Sequence, residues 1–153
     1  MSFSFDTSAF LDAWVRNYPR DVFPKFWLLL EEAVDDGVVR SSEEVFRELK
    51  RRDDEVLAWA KARPHLFLPL DEPTQAAAAE VLERCQELVK SGGSRSAADP
   101  FVIALAKVQN WTVVSGERPS GRLDRPHIPD VCGVFGIRCL TLLQFLREQR
   151  WRF

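Results

Sequence analysis

Five carboxylates spread over the chain have residue types and surroundings that suit a divalent-metal site: Asp6, Glu48, Asp99, Glu117 and Asp130. Acidic side chains that a fold brings together repel one another unless a cation lies between them. Hard cations such as Mg²⁺ or Mn²⁺ prefer oxygen ligands and keep several waters. A cluster of this kind suits metal-assisted phosphodiester hydrolysis, because the ion orients the phosphate, lowers the pKa of an attacking water and stabilises the leaving oxygen.

The pattern of apolar residues indicates how these acids could meet. Alternating or continuous apolar runs predict short strands at residues 3–5, 38–39, 66–68, 111–115 and 137–140. Helical spacing predicts helices between them, at residues 8–17, 24–36, 41–63, 72–90, 99–106, 128–131 and 142–151. This alternation predicts an α/β fold, a three-layer α/β/α sandwich with a central parallel sheet. Right-handed crossovers then bring the carboxyl ends of the strands to one edge, where open sheets bind ligands.

Each acid also has a purely structural interpretation. Asp99 precedes Pro100 and has the position of an ideal helix N-cap. Asp6 and Asp130 also stand where helices are predicted to begin, and capping is the alternative for both. Capping and metal binding are compatible, because the two oxygens of one carboxylate can have different partners.

The two glutamates have alternatives of another kind. Glu48 has Glu44 and Arg52 one helical turn away on either side, so a solvated ladder of ion pairs is the competing interpretation. Glu117 follows Gly116 after a predicted strand, and the alternative is an ordinary loop acid.

Composition narrows the classes of function. The chain has 153 residues, 46% of them hydrophobic, and a net charge of −2, so any site for a polyanion must be a local basic patch. Cys85, Cys132 and Cys139 show no metal-ligand spacing, and free thiols in a reducing compartment are expected. The sequence has no apolar stretch of about 20 residues and no signal-peptide pattern, so we expect a cytoplasmic protein with no membrane partner.

Four stretches, in order along the chain, carry a resemblance to a known family: Phe5-Asp6-Thr7-Ser8, Val45-Phe46-Arg47-Glu48-Leu49, residues 99–106, and Val113-Val114-Ser115-Gly116-Glu117. Through these stretches and the matching order of strands and helices, the chain resembles a PIN domain, which is the fold of the VapC-type toxin ribonucleases. The resemblance is greatest to the PIN-like branch of toxin-like proteins. The resemblance implies that residues 1–153 form a single PIN-like domain. It also implies a Mg²⁺- or Mn²⁺-dependent endoribonuclease, the toxin half of a toxin–antitoxin pair with a cognate antitoxin protein.

The resemblance also assigns roles to residues. It implies that Asp6 is the central metal ligand, that Ser8 hydrogen-bonds to the site, and that Asp99 is another ligand. Glu48 would lie across the pocket and hold a metal-bound water or a second ion. In the implied mechanism, a water activated by metal on Asp6, Asp99 and Glu117 attacks the phosphorus.

The fourth position departs from the family pattern. The family usually carries Asp or Asn after a Thr-x pair, whereas this chain has Ser115-Gly116-Glu117, with a longer acid and a shorter hydroxyl partner. Asp130 is therefore a candidate to supplement or replace Glu117 as a metal ligand.

Candidate contacts to substrate and partner lie elsewhere. Loop arginines expected at the same edge could hold RNA phosphates or be solvated surface, namely Arg95, Arg118, Arg122 and Arg125. Five aromatic residues crowd two short helices; most should be core, and a surplus could form a homodimer or partner surface: Trp14, Tyr18, Phe23, Phe26 and Trp27.

Two other classes of function compete with the nuclease. A catalytically degenerate PIN-like interaction protein would keep the fold, and the departure at Ser115-Gly116-Glu117 favours it. Other α/β phosphoryl enzymes need acids that the chain lacks: a haloacid-dehalogenase-type phosphatase needs one at Ser8, and a receiver domain needs an acidic pair near the first strand.

Overall fold

Five parallel strands form the centre of the molecule. The computed structural model describes residues 1–52, 54–86 and 98–153. The strands are β1 (Phe3–Phe5), β2 (Val39–Ser42), β3 (Phe67–Leu68), β4 (Thr112–Val114) and β5 (Cys139–Leu140). Their order in the sheet is β3-β2-β1-β4-β5, and every neighbouring pair is parallel. The predicted parallel sheet is confirmed.

Helices connect the strands. The described helices are α1 (Thr7–Leu11), α2 (Pro24–Asp35), α3 (Glu43–Lys50), α4 (Glu55–Lys61), α5 (Glu72–Arg84), α6 (Asp99–Gln109), α7 (Ile128–Val134) and α8 (Leu142–Gln149). A π-helix, Asp12–Asn17, continues α1 directly, and a 3₁₀ turn, Pro64–Leu66, precedes β3. No described helix is both long enough and apolar enough for a membrane span.

Side chains of β1 show how the two faces of the sheet are covered. Phe3 and Phe5 point to one face, where each ring makes a T-shaped contact with Phe145 of α8, at centroid distances of 4.9 and 5.0 Å. Ser4 points to the other face and donates a hydrogen bond to the carbonyl of Val102 in α6 at 3.0 Å. Helix α5 packs on α6. Helices therefore cover both faces, and the predicted three-layer α/β/α sandwich is confirmed.

The strand order places a crevice beside β1. The chain first adds β2 and β3 on one side of β1 and then crosses to add β4 and β5 on the other. Connections leaving β1 and β4 thus diverge at their carboxyl ends, which is where open α/β sheets bind ligands. Asp6 follows β1 directly, and residues 115–117 follow β4.

The second strand begins and ends later than predicted. Val39 starts β2, and the strand runs on through Ser41 and Ser42, which the sequence pattern assigns to the start of a helix. Both serines are buried. Ser41 donates to the carbonyl of Phe5 at 2.7 Å, while Ser42 accepts from the N–H of Glu44 and caps α3. Ser42 therefore ends the strand and caps the next helix.

The single helix predicted over 41–63 is wrong, because the segment folds as two helices, α3 and α4. The carboxylate of Asp54 accepts a hydrogen bond from the N–H of Leu57 at 3.3 Å and caps α4. The helix predicted to residue 90 is described only to Arg84. The predicted loop at 91–96, with Arg95, lies outside the described residues.

The five crowded aromatic residues belong to the core. Phe26 and Trp27 are buried, and Trp14, Tyr18 and Phe23 pack against the same core cluster. Phe26 and Tyr18 stack with their ring centroids 4.7 Å apart. The expectation that most of them are core is confirmed.

Candidate metal centre

Asp6 lies at the centre of the site and has three hydrogen-bond donors. The N–H of Ala9 donates to Oδ1 at 2.8 Å, so Asp6 is the N-cap of α1. The hydroxyl groups of Ser8 and Ser115 each lie 2.8 Å from Oδ2. These contacts tie the carboxylate to both α1 and the end of β4, so its orientation is fixed from two sides.

Burial has a large effect on the acidity of Asp6. Desolvation raises its pKa from 3.8 to about 7, and the negative charge of Glu117 acts in the same direction. Hydrogen bonds from Ser115, Ser8 and Ala9 oppose this effect and do not overcome it. A cation beside the carboxylate would favour its ionised form.

Two further carboxylates converge on Asp6. Asp6, Asp99 and Glu117 each offer an oxygen, and the three oxygens lie within 4.8 Å of one another. Asp99 is buried like Asp6, and Glu117 is half-buried. Oxygens bound to one Mg²⁺ at about 2.1 Å lie about 3 to 4 Å apart, so small side-chain movements would bring this group into ligand geometry. Both the number and the chemistry of the donors therefore fit a hard divalent ion.

The capping role predicted for Asp99 is wrong. Asp99 is the first residue of α6, and Ala98 occupies the N-cap position without a side-chain cap. The N–H of Ala98 instead donates to Oε1 of Glu48 at 2.8 Å. Asp99 is therefore placed by the start of α6 and by the contact between Glu48 and the preceding residue.

Glu48 turns toward these acids. Its Oε2 accepts a hydrogen bond from the hydroxyl of Thr7 at 3.4 Å, so its two oxygens contact the residue after Asp6 and the residue before Asp99. The alternative interpretation from sequence is a ladder of ion pairs through Glu44, Glu48 and Arg52. The ion pairs described along α3 differ from it, because Glu44 pairs with Arg47 at 2.7 Å. Arg52 binds Asp54 at 2.8 Å.

Asp130 is outside the group of three acids. Its Oδ2 accepts from the N–H groups of Ser120 and His127 at 2.7 and 2.8 Å, and its Oδ1 accepts from the N–H of Gly121 at 3.0 Å. Although burial opposes it, these hydrogen bonds hold the pKa of Asp130 below its usual value. The structure therefore gives Asp130 the capping role that was the alternative to metal binding.

Two further residues belong to the site: Ser115, which the sequence marks only as a hydroxyl partner of Glu117, and Asp12, to which it assigns no role. The hydroxyl of Ser115 donates to Asp6 and accepts from the N–H of Glu117 at 3.0 Å, so it links two of the acids. The carboxylate of Asp12 packs against Gly116, and a Cβ added at Gly116 would overlap it. Ser8 and Asp12 are four residues apart, which is the helical spacing that could have pointed to Asp12.

Among the described residues, two recesses adjoin Glu117. One is an open cleft of about 620 Å³, whose lining includes Leu11, Asp12, Val15, Arg16, Arg52 and Glu117. The other is a smaller recess of about 240 Å³, whose lining includes Glu117, Arg118, Leu140, Thr141 and Gln144. Of the loop arginines expected at the same edge as the acids, Arg118 lines the smaller recess beside Glu117. Arg122 forms a two-point ion pair with Asp124 and lines neither recess.

Solved structures share this fold. A crystal structure described as FitAcB from Neisseria gonorrhoeae is 17% identical over 92% of this chain and 98% of that chain, with a TM-score of 0.56. A structure described as FitAB bound to an IR36 DNA fragment is 17% identical over 92% of this chain and 94% of that chain, with a TM-score of 0.53. At this identity the likeness establishes the fold.

The remaining comparisons concern sequence. No curated protein matches the chain. A protein family matches nearly its whole length, residues 3–153, and covers β1, all the acids described above and α8. The chain therefore belongs to the family described as "Domain of unknown function (DUF4411)".

Proposed function

We propose that this protein is a metal-dependent endoribonuclease that hydrolyses RNA phosphodiester bonds, and the toxin of a toxin–antitoxin pair. The observation that carries the proposal is the convergence of Asp6, Asp99 and Glu117 at the carboxyl ends of β1 and β4. Two of these acids are buried, and a buried carboxyl group either keeps its proton or needs a compensating positive charge when it ionises. A ligand with positive charge at the fold's usual binding edge supplies it.

Asp6, Asp99 and Glu117 would hold the Mg²⁺ or Mn²⁺. When bound, such an ion supplies Lewis acidity toward the phosphate and lowers the pKa of a nearby water. Ser8 and Ser115 fix the orientation of the Asp6 carboxylate through their hydroxyl groups.

The remaining residues position this set. Glu48 is a positioning residue, because its contacts with Thr7 and Ala98 hold together the two segments that carry Asp6 and Asp99. Gly116 lets the chain after β4 approach Asp12 closely and so brings Glu117 to the cluster.

The toxin role rests on the PIN-like fold and on the resemblance described above. The second similar structure is of FitAB bound to a DNA fragment, which is an assembly described for those proteins. By analogy, we propose an antitoxin protein as the partner of this chain and a homodimer as a further assembly.

The decisive test is RNA cleavage by an Asp6→Asn variant in the presence of Mn²⁺. We expect the rate to fall by at least about a hundredfold, because the substitution removes the central charge of the cluster. Asp35→Asn is the matched control, since Asp35 is an exposed residue at the end of α2 that pairs with His65. It should cleave like the wild type.

Two outcomes would contradict the nuclease. Full activity of a folded Asp6→Asn variant would remove the metal site from the mechanism. No cleavage by the wild type, together with no Mn²⁺ binding, would favour the degenerate interaction protein, which the atypical Ser115-Gly116-Glu117 segment also supports.

A further inference from the structure

Two arginines from separate parts of the chain meet at the larger cleft. Arg16 lies in the π-helix that continues α1, and Arg52 follows α3. Both line the cleft of about 620 Å³, and Glu117 lines it too. The cleft therefore reaches the acidic cluster at Glu117, and its lining includes two arginines.

Both arginine side chains are exposed. The side chain of Arg16 is 75% exposed and contacts Asp12 at 3.2 Å. The side chain of Arg52 is 41% exposed and contacts Asp54 at 2.8 Å. Exposed ion pairs contribute only about 0 to 1 kcal/mol, so exchanging a carboxylate for a phosphate costs little. The planar guanidinium matches phosphate oxygens with two parallel hydrogen bonds.

The same cleft has an apolar wall. Leu11 and Val15 are four residues apart along α1 and the π-helix, and both line the cleft. Val15 is open to solvent, with 59% of the residue exposed. Apolar surface beside cations suits a strand of nucleic acid whose bases are unpaired, because a base or ribose can pack on it while the phosphates face the arginines.

We propose that Arg16 and Arg52 bind backbone phosphates of single-stranded RNA on the α1 side of the acidic cluster, with Leu11 and Val15 packing against the nucleotide between them. This proposal rests on the proposed ribonuclease function and names its substrate-binding residues. The net charge of −2 makes these local cations necessary, since the molecule has no general attraction for a polyanion.

Salt-dependent RNA binding tests the proposal without cleavage. The probe is a fluorescein-labelled oligouridylate of about 20 nucleotides, and binding is followed by anisotropy between about 50 and 300 mM KCl with Mg²⁺ present. The protein is the full chain with Asp6→Asn, which the proposed function expects to be inactive. Arg16→Ala and Arg52→Ala are added to it separately and together.

Each arginine variant should bind roughly three- to tenfold more weakly and reduce the salt slope by about 0.7, the contribution of one phosphate on a single strand. The double variant should combine both losses. Arg138→Ala is the matched control: Arg138 is 53% exposed and pairs with Glu148, but it precedes the edge strand β5 and does not line the cleft. Its affinity and slope should be unchanged.

Three results would overturn the proposal: arginine variants that bind like Arg138→Ala, tighter binding of a duplex of the same length, or no binding of the oligouridylate. Failure of the proposed function is distinguishable. If cleavage depends on Asp6 but not on either arginine, the proposed phosphate contacts are wrong and the nuclease function stands. If RNA binding depends on the arginines but the wild type cleaves no RNA, the nuclease function is wrong and the phosphate contacts stand.

Discussion

Asp6 combines a buried position with three hydrogen-bond donors, and these features act on its carboxyl group in opposite directions. Donors from Ala9, Ser8 and Ser115 stabilise the ionised form. Removal from water favours the neutral form and has the larger effect, so the pKa rises to about 7. Between about pH 4 and pH 7, the folded protein therefore holds a proton that an unfolded chain would have released.

This difference predicts how stability changes with pH in the absence of divalent metal. Because the pKa of Asp6 is raised in the folded state, its contribution to the free energy of unfolding is fully present below pH 3.8, the ordinary pKa of the group. This contribution is lost progressively as the pH rises to about 7. Asp6→Asn abolishes this loss. Relative to the wild type, the variant should gain up to about 4 kcal/mol of unfolding free energy between about pH 4 and pH 8.

Urea denaturation in EDTA at several pH values measures this effect. The quantity of interest is how the difference in unfolding free energy between variant and wild type changes with pH. Any pH-independent cost of replacing the side chain cancels from this change. Asp35→Asn should follow the wild-type curve. Parallel curves for Asp6→Asn and wild type would show that Asp6 is ionised throughout, contrary to its burial.

Sequence identifies the acids better than it identifies their partners. Asp6, Asp99 and Glu117 each follow a strand or begin a helix, and the parallel topology is enough to bring them to one edge. The role of Asp130 depends on backbone N–H groups of Ser120 and Gly121. These lie in an irregular loop, whose path no periodicity predicts, so metal binding and capping could not be separated from sequence.

At the level of elements, the break between α3 and α4 shows why periodicity alone was insufficient. Val45 and Leu49 of α3 and Val56 of α4 are all buried in the same core cluster. Apolar spacing therefore continues across the break and resembles one long helix. The local signal is Asp54, whose extended backbone and capping carboxylate begin α4. A strong N-cap inside an apparently continuous pattern is the feature that indicates the break.

The break should therefore depend on the side chain of Asp54. Asp54→Ala removes the acceptor for the N–H of Leu57 and should lower the free energy of unfolding by about 1 kcal/mol. Asp54→Asn keeps a capping oxygen and should lie close to the wild type. Thermal and urea denaturation measure both. Equal stability of Asp54→Ala and wild type would mean that packing alone fixes the start of α4.

At the level of the whole molecule, the candidate metal centre joins segments that are distant in sequence. Asp6 follows β1, Asp99 begins α6 and Glu117 follows β4, while Glu48 of α3 connects the first two segments. The order β3-β2-β1-β4-β5 places β1 between β2 and β4, so its carboxyl end is the point where these connections meet. An ion bound here therefore contacts only the folded state, because the unfolded chain separates its ligands.

Mn²⁺ should consequently stabilise the folded protein. At a concentration of about 100 times the dissociation constant, binding to the folded state adds about 2.7 kcal/mol. For a domain of this size, that gain corresponds to a rise in Tm of roughly 5 to 10 °C. Differential scanning fluorimetry at about pH 8 measures the shift, and at this pH Asp6 of the metal-free protein is largely ionised.

Acid-to-amide variants assign this shift to particular ligands. Asp99→Asn and Glu117→Gln should lose most of it, because each removes one of three converging carboxylates. Asp130→Asn is the matched control: it should lower the Tm without metal, since it weakens the hydrogen bonds to Ser120 and Gly121, and should keep the full Mn²⁺ shift. If the Mn²⁺-dependent rise in Tm disappears in Asp130→Asn and survives in Glu117→Gln, then Asp130 is a metal ligand and Glu117 is not.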